Sequence, residues 1–310
     1  MSARPSVARL GSVIALAIFG ISVSGPLARL AEAPPLAIAV WRLLLSLLLL
    51  SVPLLATGSW REWSGLARRD VAVALGAGAF LAVHFWSWIA SLGMTSVAAS
   101  VLLVNLHPVV IVAGSVLWLG ERTSRQQLLG IAVALLGAAV VAFAPELGRD
   151  AVQETATASH AAHAAPAALV GNLLAVLGAV TVGLYYLAGR SLRQRLSLWP
   201  YVTLVYGACF VVLLVFAAAT ATPLWPYATR ELGIFALIAL GPMLAGHTGF
   251  NWAIRYVPAS LISVALLAEP VGAAIIAAVL PSIRELPTAG TLVGGSILLL
   301  GLGISTRAKS

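Results

Sequence analysis

What constrains this chain most is a series of windows, each about twenty residues long, that are apolar almost throughout; about twenty such residues in a helix span a hydrocarbon core. Ten of them can be read, at 9–30, 35–57, 70–92, 95–119, 126–144, 168–189, 198–219, 231–252, 258–281 and 288–306. A water-soluble fold has no means of hiding them. Only 9% of the residues are charged and 61% are hydrophobic, where a soluble domain carries about 25% charged residues. The window edges carry helix punctuation: Pro34-Pro35 opens the second, Gly58 follows it, and Pro258 and Pro287 stand where later helices should begin. The short alternating segments of a membrane β-barrel are missing. The first window is too long for a signal peptide, and Gly25-Pro26-Leu27-Ala28-Arg29 makes a poor cleavage site. The expected fold is an all-α integral membrane protein with ten transmembrane helices, and the bilayer is its first partner. Its one cysteine, Cys209, excludes an intramolecular disulfide and any cysteine-rich metal centre.

The net charge of +8 would suit a nucleic-acid partner, but its distribution gives a different meaning. If the N-terminus is cytoplasmic, that side holds Arg4, Arg9, Arg61, Arg68, Arg69, Arg122, Arg125, Arg190, Arg193, Arg195, Arg255, Arg307 and Lys309, thirteen in all. The other side holds four, Arg29, Arg149, Arg230 and Arg284, while Arg42 falls inside the second window. Basic residues favour the cytoplasmic side of a membrane. The expectation is a multi-pass protein of the bacterial inner membrane with both termini cytoplasmic and no nucleic-acid partner. The longest connection, 145–167, is Ala-rich and acidic, and is expected as an external solvated linker. His160 and His163 in it have no further ligands beside them, so no metal is expected there.

The chain also repeats itself. Trp88, Glu121, Gly130 and Gly137 match Trp252, Glu285, Gly294 and Gly301, each 164 residues later, and Pro108 matches Pro270 at a spacing of 162. Five spans per half is an odd number, so the second copy enters the membrane from the opposite side. Inverted repeats of this kind build secondary transporters, with the substrate near the midplane where the repeats meet. The division expected is a first five-helix repeat over 9–144, the linker over 145–167 and a second repeat over 168–306, around a central cavity.

The first half reads Ser96-Val97-Ala98-Ala99-Ser100, Pro108, Leu119-Gly120-Glu121, Gly130 and Gly137; the second reads Pro258-Ala259-Ser260, Glu269-Pro270, Glu285, Gly294 and Gly301. This doubled pattern resembles the EamA module of the drug/metabolite transporter superfamily, over nearly the whole chain. It departs at Ile283-Arg284-Glu285, where Leu-Gly-Glu is usual. Within the superfamily, the histidine and tryptophan content is most similar to the bacterial aromatic amino acid exporters. The resemblance implies a cavity lined mainly by the first, third and fourth helices of each half, and efflux from the cytoplasm.

Polar groups at membrane depth are each a site hypothesis. His107 and Glu269 both lie near the middle of their windows, each directly before a repeat-related proline. Pro108 and Pro270 should loosen the helices there by freeing a carbonyl four residues earlier. Glu269, with the two prolines, is the candidate for coupling or gating, and His107 the pseudo-symmetric group able to share its proton. A purely structural role for the pair remains open. His107 shares a helical stripe with Ser96, Ser100 and Gly114, whereas Asn105 projects about 200° away on a continuous helix and is assigned to interhelical hydrogen bonding. Phe80, His84 and Trp88 align at i, i+4 and i+8; His247 and Asn251 share a face, as do Thr181 and Tyr185. The expected substrate-binding set is therefore His84, Trp88, His107, Tyr185, His247 and Asn251, with packing as the alternative for the aromatic stripe. Arg42 is placed either to snorkel outward or to pair with a buried partner, and the sequence assigns it no role.

No metalloprotease, nucleophile-elbow or Walker motif occurs, and no cofactor is called for. The reading is a secondary transporter exporting small amphipathic metabolites, aromatic amino acids first, by alternating access. Drugs or other metabolites on the same fold are the alternative, and an intramembrane enzyme or a channel a remote one. The small-molecule substrate is the partner that the cavity should meet; the sequence does not fix an oligomeric state.

Overall fold

The computed structural model describes residues 5–119, 124–143, 158–253, 255–256, 266 and 268–307, and among them every regular element is helical. In chain order these are α1 (Val7–Ser22), α2 (Ser24–Leu30), α3 (Pro35–Ala56), α4 (Arg68–Leu92), α5 (Val97–Val104), α6 (His107–Leu119) and α7 (Arg125–Phe143). Then follow α8 (Ala158–Arg195), α9 (Leu198–Ala219), α10 (Thr229–Ile238), a π-helical segment (Ala239–Thr248), α11 (Gly249–Ala253), α12 (Ala268–Val279) and α13 (Ala289–Arg307). Six helical stretches are long and apolar enough to cross a membrane: Val7–Leu30, Pro35–Ala56, Arg68–Leu92, Pro166–Ala188, Leu198–Ala219 and Thr229–Ala253. Four shorter apolar helices accompany them. Large apolar side chains such as Leu48, Val52, Leu55, Leu136, Val215 and Leu300 stand exposed on the outside, as a lipid-facing surface requires.

Three expected spans are interrupted, each beside a proline. A proline lacks the N–H that would close the turn onto the carbonyl four residues back. Pro26 leaves the Ser22 carbonyl, and α1 gives way to α2 at Val23. Pro108 leaves the Val104 carbonyl, and the helix stops at Asn105 and Leu106 before α6 restarts at His107. Pro242 sits within the widened π turns, where the Thr248 hydroxyl donates to the Met243 carbonyl five residues back at 3.0 Å. The stretch expected as a solvated linker is helical from Ala158 onward. Alanine, abundant there, is the best intrinsic helix former, and that outweighs Pro166. His160 and His163 lie on this helix; Glu146, Asp150 and Glu154 fall outside the described residues.

Close packing is arranged by glycine. On α4, a Cβ at Gly78 would stand 2.5 Å from that of Ala208 on α9. On α1, a Cβ at Gly20 would come within 2.7 Å of the Gly241 carbonyl and 2.9 Å of the Gly246 amide in the π segment. The tightest seam joins α7 and α13. Gly130 lies against Gly301 and Ser305 while Gly137 lies against Gly294 and Leu298, so the two helices run antiparallel with backbones in contact.

Candidate substrate cavity

The interrupted helices meet around one cavity of about 40 Å³. That is room for a few waters, well below the volume of a formed ligand pocket. Ile21 and Ser24 approach from the α1–α2 kink, and His84 and Trp88 from α4. Asn105 and His107 come from the α5–α6 break, Val182 and Tyr186 from α8, His247 and Phe250 from the π segment and α11, and Glu269 from α12.

On α4 the rings of His84 and Trp88 stack in parallel, 6.2 Å apart with 2° between their planes. The spacing of four places both on one helical face. His84 Nδ1–H donates to the Gly178 carbonyl at 2.9 Å; since a carbonyl only accepts, the ring's tautomer follows. Behind His84 the Phe85 ring touches it at 5.1 Å and meets His247 edge-on at 5.6 Å. The indole N–H of Trp88 is buried with no partner among the described residues.

At the α5–α6 break, the carbonyl that Pro108 releases is recaptured. His107 Nδ1–H donates to Val104 O at 3.2 Å, and the His107 ring lies 5.8 Å from that of Tyr186. The break also turns Asn105. Its Nδ2 donates to Val101 O at 2.9 Å and to Glu269 Oε2 at 3.3 Å. Its Oδ1 is buried and unpaired among the described residues.

Of the residues singled out from the sequence, His84, Trp88, His107, His247 and Glu269 thus share one cavity. Tyr185 and Asn251 do not line it: Asn251 Nδ2 donates to the Tyr185 hydroxyl at 3.3 Å, and the pair is buried away from it. One residue on, a turn of about 100°, Tyr186 faces the cavity with Val182 four before it. Pro108 and Pro270 do not line it either; they act on the backbone. Asn105 was set apart from His107 by angles that hold only for an unbroken helix, and the break at Pro108 brings both to the cavity. A signal for it existed. Asn105 and Glu269 are 164 residues apart, the spacing of the matched tryptophans and glycines, whereas the proline spacing of 162 had paired Glu269 with His107.

Arg42 does not snorkel, and among the described residues it pairs with no acid. It is 1% exposed, with its guanidinium carbon 4.1 Å over the Phe85 ring.

Polar contacts join the two halves at both ends of the bundle. At one end Arg195 makes a bidentate pair with Asp70 at 2.9 and 3.0 Å, and Glu62 accepts from the amide and hydroxyl of Ser197. At the other, Glu231 accepts from the Glu32 and Ala33 amides, and Arg230 binds Glu32 at 3.2 Å. There too Glu285 caps α5 by accepting from Val97 N at 2.5 Å, with Arg29 4.0 Å away. Burial pushes the Glu285 carboxyl above its ordinary range, opposed by the Val97 amide and Arg29. Arg29 itself donates to the Leu92 carbonyl. Among the described residues no cluster of three metal-ligating side chains occurs.

A transporter of Archaeoglobus fulgidus with no characterised substrate is 26% identical over 282 residues, covering 89% of this chain and 90% of that one. A solved crystal structure superposes with a TM-score of 0.62 over 97% of both chains at 18% identity, a likeness of fold alone. The profile of the EamA-like transporter family matches twice, over residues 10–143 and 169–307. These matches point to transport across a membrane rather than to catalysis, and with most of its length covered, the chain belongs to the EamA-like transporter family.

Proposed function

We propose that the protein exports small amphipathic metabolites, aromatic amino acids foremost, from the bacterial cytoplasm by alternating access between two inverted five-helix repeats, 9–144 and 168–306. One observation carries the substrate class. The cavity wall combines the flat His84–Trp88 stack with an indole N–H donor and an Asn105 acceptor, both unpaired among the described residues, beside the Glu269 carboxylate. A ring stacks on the first, worth about 0.5–1.5 kcal/mol beyond burial, while the polar atoms orient an ammonium or carboxylate end. The inverted-repeat reading is supported by reciprocity at the α7–α13 seam. Gly130 meets Gly301 as Gly294 meets Gly137, and Ala134 meets Gly301 as Leu298 meets Gly137. Adding 164 to one partner and subtracting it from the other turns each contact into the next.

Glu269 is the group we assign to proton coupling, with His107 as the residue able to share the proton at the same break. A second reading, export of cationic amphiphilic drugs, is favoured by Glu269 being the one carboxylate on the cavity wall among the described residues.

Flux of labelled amino acids into liposomes tests the first reading. Trp88→Ala should slow aromatic amino acids by up to about tenfold, the factor that ring stacking can supply, while aliphatic ones change less and the protein stays folded. Equal loss for all solutes makes Trp88 a packing residue, and flux of cationic drugs alone selects the second reading. For topology, reporter fusions after Arg125 and Arg195 should lie inside and one after Asp150 outside; the opposite pattern overturns the orientation.

A further inference from the structure

Inside the bundle, Arg42 has no counter-charge among the described residues. Arg42 lies on α3, seven residues beyond its start at Pro35, and is fully enclosed. Its Nε, Nη1 and Nη2 all lack a hydrogen-bond partner among the described residues, and the ion pairs of those residues involve Arg29, Arg195 and Arg230 instead. The Phe85 face holds the guanidinium carbon at 4.1 Å. That contact attracts the cation but leaves the N–H groups, which lie in the guanidinium plane, unsatisfied. Tyr206 and Cys209 on α9 are the groups that act on it electrostatically, and neither is a carboxylate.

The position of this charge is as informative as its isolation. The ring that covers Arg42 is in contact with His84 and His247, both on the cavity wall. Arg42 is thus one side chain away from the space a solute would occupy. Fixed cations within a membrane are rare, and those retained mark the paths of ions and substrates. A guanidinium is also the side chain whose fork matches a carboxylate in two parallel hydrogen bonds.

We propose that Arg42 is a substrate-binding residue that receives the carboxylate of an aromatic or apolar solute, with the Phe85 ring as the partition displaced when the solute enters. The assignment rests on the amphipathic-solute reading above and names the residue that selects among such solutes. A purely structural Arg42, stapling α3 to α4 through Phe85, would make no distinction between a carboxylate and a neutral group of the same shape.

The experiment is equilibrium binding of L-phenylalanine and of L-phenylalaninamide to the full-length protein in nanodiscs. The two probes share ring and ammonium and differ only in the carboxylate. Wild type should bind the acid about 10- to 100-fold more tightly, the range of a hydrogen bond to a charged group. Arg42→Gln should level the two affinities while amide binding persists. A preference that survives in Arg42→Gln overturns the proposal. If the Gln variant does not fold, Arg42→Lys keeps the charge without the fork, and an undiminished preference there overturns it equally. Equal binding of both probes by wild type removes Arg42 as the reader and leaves the proposed function standing; binding of neither removes both.

Discussion

The α7–α13 seam and the cavity wall are built from the same repeat, yet they treat it in opposite ways. At the seam the matched positions are identical: Gly130 with Gly294, and Gly137 with Gly301. Backbones touch there and leave no room for a side chain. At the cavity the matched positions differ. Asn105 meets its own counterpart Glu269 at 3.3 Å, and His84 corresponds to Thr248. Helices without internal hydrophobic drive associate by close van der Waals contact, and small residues permit it, so both copies are held to glycine where they pack. On the coupling role proposed above, one copy supplies the titratable acid, Glu269, and the other its hydrogen-bond donor, Asn105. At the seam backbone lies directly against backbone, whereas the helices around the cavity are interrupted.

The seam side of the comparison breaks most visibly. A Cβ at Gly137 collides with the Leu298 backbone, and one at Gly301 with that of Ala134. Overpacking against main chain, which cannot rotate away, costs about 3 kcal/mol or more. Gly137→Leu should therefore abolish the monodisperse peak of the purified protein. Normal yield with normal flux would mean that α7 and α13 part freely and that the seam is not a fixed axis.

At the cavity the predicted loss is of function with the fold kept. Glu269→Gln preserves the shape and can still pair with Asn105, because its amide carbonyl accepts as the carboxylate does. Flux driven by a pH gradient should fall to background, while exchange of solute across liposomes without a gradient persists. A variant that keeps the wild-type pH response removes Glu269 as the coupling group, and with it the contrast between a titratable copy and a neutral one.

Much of this was legible in the residues, and the limits have a common origin. Windows and repeat glycines survive any local bend, so the six long apolar spans and the matched seam glycines could be read directly. The cavity depends on helical phase, and phase is lost wherever a helix breaks. Counting through Pro108 as though α5 and α6 were continuous sent Asn105 away from His107. A one-residue error of phase on α8 exchanged Tyr186 for Tyr185. His84 and Trp88 were placed well because α4 runs unbroken from Arg68 to Leu92. The α10 span was read as a plain helix, since nothing in Leu240-Gly241-Pro242 distinguishes a kink from ten residues of π geometry. Arg42 could be seen as costly, but its having no acid partner among the described residues is a tertiary fact.

The smallest predicted effect separates glycine packing from glycine itself. If the seam matters because of close approach, a glycine facing open space should be replaceable. Gly76 and Gly78 lie two residues apart on α4; a Cβ at Gly76 meets nothing within 4 Å, whereas one at Gly78 stands 2.8 Å from the Cys209 amide. Alanine in a helix interior is better than glycine by about 0.5–1 kcal/mol in water, an effect that both sites share. Gly76→Ala should accordingly leave the melting temperature of the purified protein unchanged or raise it slightly. Gly78→Ala should lower it, since overpacking of about 1–3 kcal/mol outweighs the propensity gain. Equal shifts at the two sites would mean that helix propensity, not contact, sets the response. The rigidity argued for the glycine-packed seams would then have lost its physical basis.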